Sequence, residues 1–234
     1  MTRSLIAVAV LGVLVACGGG GDPGPQPLSH HFEDYLIAPV NVGEKQAVFK
    51  AQNDYHIAKG EFVTTQTRLD DNATRRAVAE NEIKQARLDE DSANSRMKNA
   101  ESSGDMNRVN AVKSEIRAAE VRRQAAEQKV KAVKAERKYL EKHLRYAEEQ
   151  MYAEEAKFEL AKAEVAVAKN IRPKNFQMAD YKDQYADRSR RAQRARALAD
   201  QEKATFLEEK KKLDAMKQEA QRASGSSGGG AGNN

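Results

Sequence analysis

Tryptophan is absent from the chain, and aromatic residues are only 6% of its 234 positions. A compact globular core of that length needs more large apolar side chains than this. Cysteine occurs once, at Cys17, so no disulfide can form within the chain. Proline is confined to Pro23, Pro25, Pro27, Pro39 and Pro173, and between Glu44 and Ser224 the only glycines are Gly60 and Gly104. Both residue types break helices, so their scarcity leaves a long middle free to run helical. An excess of one charge is also missing: 40 Lys and Arg against 35 Asp and Glu leave +5. Such balance in a charge-rich chain describes a solvated face with both signs interspersed and argues against a nucleic-acid surface. Sites for chemistry are sparse. The four histidines, His30, His31, His56 and His143, are scattered. His30 and His31 alone are two ligands short of a metal cage. There is no nucleophile–base set, phosphate loop or framed pair of acids, so neither an enzyme, a metal site nor a cofactor is expected.

What is present is a seven-residue repeat. Val48, Tyr55, Phe62, Leu69, Arg76, Ile83, Glu90 and Met97 fall in one register. Three residues further on come Ala51, Ala58, Thr65, Asn72, Ala79, Ala86, Ala93 and Ala100. A second segment repeats the pattern, with Val109, Ile116, Arg123, Val130, Arg137, Leu144, Met151, Phe158 and Val165 as one seam. Its other seam is Val112, Ala119, Ala126, Val133, Leu140, Ala147, Glu154, Ala161 and Ala168. A period of seven implies left-handed supercoiling against a partner helix. Gly60 falls on an outward position, where it costs about 1 kcal/mol of helix propensity and no packing.

The partner is expected in the same chain. Gly104 suits the left-handed position after a helix, and Asp105 suits the cap of the next. So short a connection makes the two helices antiparallel. Facing residues then have numbers summing to about 206. This puts Met97 near Val109, Arg123 near Glu80 and Glu82, and Arg137 near Asp70 and Asp71. Asn41 and Glu44 have the spacing of a capping box. Pro173 interrupts the pattern, and Asn175 is a candidate cap for a third helix along Met178, Tyr185, Ala192, Ala199, Phe206, Leu213 and Ala220. The expected fold is all-α: a long antiparallel coiled-coil hairpin with a third, shorter helix packing back, an elongated three-helix bundle. Its helices should cover about 42–102, 106–170 and 175–222, within a body at 41–223. The third should stop near the level of residue 125, leaving a two-stranded tip that carries Met97 and Met106 as possible contacts.

The ends read differently. "GGGGDPGPQPLSHH" builds no core, and residues 224–234, "SGSSGGGAGNN", form a disordered Gly/Ser tail. Residues 1–16 carry Arg3 and then an apolar run from Leu5 to Ala16. The run is too short to span a bilayer core of about 30 Å as a helix. It has the form of a secretory signal. Leu14-Val15-Ala16-Cys17 resembles the lipobox of bacterial lipoprotein signal peptides. That resemblance implies cleavage after residue 16, a diacylglyceryl group on the Cys17 sulfur, and usually acylation of the new N-terminus. It makes 17–40 a lipidated N-terminus and flexible linker. Two or more acyl chains hold a protein stably in a membrane, where one does so marginally. In Gram-negative members an Asp after the cysteine favours the inner membrane. Gly18 stands here, which implies the outer membrane, facing the periplasm.

The segment "RSRRAQRAR" gathers Arg188, Arg190, Arg191, Arg194 and Arg196. It is either a solvated face paired with neighbouring acids or a patch for an acidic partner or lipid headgroups. The functional expectation is a membrane-anchored structural or partner-binding lipoprotein of the cell envelope, a periplasmic spacer or scaffold. It is similar to the major murein lipoproteins in lipidation and heptads. They finish in a wall-linked lysine, whereas this chain has Gly232-Asn233-Asn234, so that attachment is not expected. The alternative is a BAR-like lipid-binding or membrane-shaping helical module, an analogy of fold alone. The expected partners are the membrane, through lipid on Cys17, and an envelope protein, with a homo-oligomer as a further possibility. No nucleic acid is expected.

Overall fold

The structure, a computed structural model, describes residues 24–226. The signal segment, Cys17 and most of the Gly/Ser tail lie outside them. The elements are α1 (Asp34–Ile37), a 3-10 turn (Val42–Lys45), α2 (Gln46–Ser103), α3 (Met106–Ala168) and α4 (Met178–Ser226), with no strand among the described residues. The fold is an all-α bundle of three long helices.

The helix ends follow the local chemistry. Gly104 takes φ 67°, a left-handed conformation that lacks a Cβ penalty for glycine. Asp105 then accepts hydrogen bonds from the N–H groups of Asn107 at 2.9 Å and Arg108 at 3.2 Å, opening α3. Asn41 caps the 3-10 turn by accepting from the Gly43 N–H at 2.8 Å. Glu44 does not complete a capping box; it pairs with Lys169 across the hairpin at 2.5 Å. At the other end of α3, Asn170 is left-handed (φ 57°), and the Ile171 N–H returns to the Ala166 carbonyl at 2.8 Å. Asn175 has φ 62° inside the turn that follows Pro173. It is therefore not the cap of α4, which begins three residues later.

The hairpin of α2 and α3 is zipped along the smaller seam. All eight residues from Ala51 to Ala100 at that heptad position are buried. The larger residues beside them, from Tyr55 to Met97, are only half-buried apart from Val48, which is buried, and Arg76, which is exposed. Alanine lets the helix backbones approach, and the larger side chains then close over the edges. Met97 packs with Ala100, Val109 and Val112, as the antiparallel register requires. Asn72 sits opposite Val133 and donates to its carbonyl at 3.2 Å.

The ion pairs are displaced from that register. Arg123 reaches Glu90 at 2.7 Å and its own-helix neighbour Glu127 at 2.9 Å, not Glu80 or Glu82. Arg137 pairs with Glu141 at 2.9 Å, not with Asp70 or Asp71. Lys129 takes Glu82 at 2.5 Å, and Lys157 takes Asp54 at 2.9 Å. Every helical side chain leans toward the N-terminus of its own helix. In an antiparallel pair the two leans add, so these long charged partners meet about five to seven residues out of the Cα register.

α4 packs back along the hairpin as expected, but against α3 alone. Among the described residues no Cα of α2 lies within 8 Å of a Cα of α4. α3 is therefore the middle helix of an open array. It carries a second buried stripe, at Ala118, Ala125, Ala132, Tyr139 and Ala153, outside the two heptad seams that meet α2. α4 answers with Tyr181, Arg188, Ala192, Ala195, Ala199 and Leu213. It also runs further than expected: Ser224 borders the same hollow as Ala118 and Arg122. The two-stranded tip is correspondingly shorter. The 63 residues of α3 give the array a length of about 95 Å.

Candidate functional site

The most elaborate polar structure lies at the base of the array, and the segment expected to be a slack linker builds it. Leu28, Phe32, Ile37 and Val40 are buried. Phe32, Ile37 and Val40 form one cluster with Val48, Ala51, Ala163, Ala166 and Tyr181. Phe32 is 3% exposed and meets Phe176 edge-on at 5.8 Å and Tyr181 at 6.1 Å. Burying one such ring contributes roughly 2–3 kcal/mol. Residues 27–40 are thus a strap docked across α3 and α4, and the flexible-linker reading does not hold for them.

Side chains of the two long helices hold the strap by its backbone. The Gln184 carbonyl oxygen accepts from the N–H groups of Ser29 and His30, each at 2.9 Å, and its amide donates to the His30 carbonyl at 2.9 Å. The Tyr181 hydroxyl donates to the His31 carbonyl at 3.1 Å. Arg188 donates to the Pro27 carbonyl at 3.2 Å while lying 5.4 Å from the centre of the Tyr152 ring. Glu159 accepts from the Phe32 N–H at 2.6 Å. Lys162, also buried, donates to the Phe32 carbonyl and pairs with Asp34 and Glu159, each contact 2.8 Å long. The ammonium also lies 4.4 Å from the Phe158 ring centre. All three of its donors are used, which is what a buried lysine requires. Glu155, half-buried beside this cluster, has its pKa pushed up chiefly by burial. His31, Arg188 and Lys162 oppose that shift, and Glu159 adds to it.

The residues singled out by sequence are distributed unevenly. Cys17 lies outside the described residues. Arg188 belongs to the strap site and is buried. Arg191 pairs with Asp187 at 2.8 Å, Arg190 with the same carboxylate at 3.9 Å, and Arg196 with Asp200 at 3.7 Å. Arg194 is exposed. The five arginines therefore share no single exposed face, and their arrangement lends no support to headgroup binding. At the tip Met106 is 65% exposed, while Met97 is packed into the apolar cluster there.

The histidines are separated by their contacts. The His30 ring lies 6.0 Å from Tyr181, and His31 Nδ1 is 3.9 Å from Glu159. His143 contacts Glu61 at 3.1 Å between the rings of Tyr139 and Tyr146. Among the described residues no group of three or more His, Cys, Asp and Glu side chains is placed to hold a metal ion. Nor is any described helix long and apolar enough to cross a membrane. The site binds its own chain; its chemistry is that of a clasp. No protein-family model, curated protein or solved structure matches the chain.

Sequence reasoning missed the strap because glycine and proline precede it. A signal was present: Leu28, Phe32, Ile37 and Val40 are large apolar residues in an aromatic-poor chain, and a free linker has no use for them.

Proposed function

We propose that the protein is a membrane-anchored coiled-coil lipoprotein of the bacterial cell envelope that holds a helical array in the periplasm as a spacer or partner-binding scaffold. The observation that carries this reading is the order Arg3, the apolar run Leu5 to Ala16, and Leu14-Val15-Ala16-Cys17. Lipid on Cys17 supplies the membrane attachment that no described helix provides. The docked strap supports the scaffold role. Six residues separate Cys17 from Gly24, a reach of at most about 24 Å over the seven Cα steps. Beyond that leash the chain is clasped to α3 and α4, so the attachment point is tied to one end of the array and the tip at Gly104 lies at the other.

The test is membrane partitioning of the wild type and Cys17→Ala in the native envelope, with intact-mass analysis of the purified chain. The wild type is expected in the membrane fraction, with a mass that begins at Cys17 and includes acyl groups. The variant is expected in the soluble fraction. A Cys17→Ala chain that stays with the membrane overturns the anchor.

A further inference from the structure

The open arrangement of α2, α3 and α4 leaves a valley with no helix in it. Its floor is α3, at Ala125, Ala126, Ala132 and Val133. One wall is α2, where Val78, 49% exposed, stands beside Thr74 and Arg75 and faces Ala132, Val133 and Phe206 across the hollow. The other is α4, with Phe206 and the buried Leu213. Two hollows of about 350 and 280 Å³ adjoin along this floor and share Lys129. On α2 they span Thr74 to Asp89, which is about 22 Å, or four turns of helix.

The valley's charges are unequal. Arg75 and Lys129 are matched by Glu136 and Glu82. Arg122, Lys210 and Lys217 also line it, and among the described residues none of these three has an acidic partner. Asp89 is the remaining acid, and it already accepts from Gln85 at 3.0 Å. Lys210 and Lys217 are seven residues apart on α4, so they present two cations on one edge, about 10 Å from each other.

We infer that this valley is the docking site for an acidic amphipathic helix of a protein partner, about 15 residues long, which completes a four-helix arrangement. Its apolar stripe lies on Ala132, Val133, Val78 and Leu213. Its acidic flank faces Lys210 and Lys217, with Glu or Asp seven residues apart to match them. This is the helix-in-groove mode, in which apolar burial supplies affinity and rim charge supplies selectivity. A second copy of the chain is a poor occupant. Two valleys face to face would set the lysines of one copy against those of the other, and an isologous interface repeats that repulsion at both ends. The inference concerns the folded helices alone and does not depend on lipid at Cys17.

The experiment screens the purified full-length chain against a display library of 15-residue helical peptides. Leucine is fixed along the peptide seam, and the flanking positions are randomised between Glu and Lys. The recovered pool is expected to be enriched in Glu on one flank. The best acidic peptide is then titrated against the wild type, Val78→Glu and the double variant Lys210→Glu/Lys217→Glu. All three positions are solvent-facing, and helicity by circular dichroism checks the fold. Both variants are expected to weaken binding about tenfold or more, the scale of two lost rim contacts. Loss of flank preference, recovery of no binder, or equal binding to the double variant overturns the assignment. So does binding of anionic vesicles in place of peptide, or a wild-type dimer in sedimentation that Val78→Glu dissolves.

Discussion

Charges in the base of the array are stabilised to very different degrees. Lys162 has three oxygen partners at 2.8 Å, and its neighbour Glu159 holds both the lysine and a strap N–H. Glu155 lies beside them without comparable support, and burial raises its pKa above the ordinary 4.5. The sign follows from linkage. A carboxyl with a raised folded pKa binds its proton more tightly in the folded state, so its contribution is most favourable below the ordinary value and is lost as pH rises through the folded pKa. Glu155→Gln is neutral at every pH. It is expected to raise the melting temperature at pH 7, by less than about 1 kcal/mol of stability because the group is partly exposed and screened. The difference between variant and wild type should disappear below about pH 4, where the wild-type carboxyl is protonated as well. Thermal unfolding of both chains between pH 3.5 and 7.5 measures this. A variant less stable than the wild type at pH 7 would show that His31, Arg188 and Lys162 outweigh burial.

At the scale of elements, the first two helices were legible and the third was only partly so. Ala51 to Ala100 recur every seven residues, and a small residue at every second turn has one use, close helix approach. The second stripe of α3 was written just as regularly at Ala118, Ala125 and Ala132. It escaped because one helix was assigned one seam, and a middle helix has two. The strap escaped for a different reason: its partners Glu159, Lys162, Tyr181 and Gln184 lie more than 120 residues away. No local period encodes such a contact. The hairpin turn was the most readable junction, and it carries a prediction. Gly104 has open space around its missing Cβ, so the cost of a side chain there is the left-handed backbone alone. Gly104→Ala should destabilise the tip by about 1 kcal/mol, and Gly104→Asn by less, since asparagine tolerates that conformation. Hydrogen exchange at residues 100–109 reads both. Equal exchange in the two variants would mean that the turn relaxes to another conformation.

For the whole molecule, the decisive property is that α3 packs against both outer helices, while among the described residues no Cα of α2 lies within 8 Å of one in α4. In a triangular bundle each helix rests on two others, so removing one exposes both survivors. Here the loss of α4 exposes the second stripe of α3, with Tyr139, Ala153 and Ala156, while on α2 it opens only the rim of the hollows that the two helices share. The strap is affected differently, because Tyr181, Gln184 and Arg188 are its α4 contacts. A chain ending at residue 177 should therefore keep the α2–α3 hairpin, release residues 27–31, and self-associate through the bared face of α3. Hydrogen exchange separates these outcomes. Amides along Ala51 to Ala100 are expected to retain nearly full protection, while those of Ser29 and His30 exchange freely. Protection in the α2 seam rests on packing against α3 rather than on helix propensity, since a helix with a solvated outer face is marginal alone. If the α2 amides lose protection together with the strap, the three helices form one cooperative unit, and the two seams of α3 are coupled through the backbone they share.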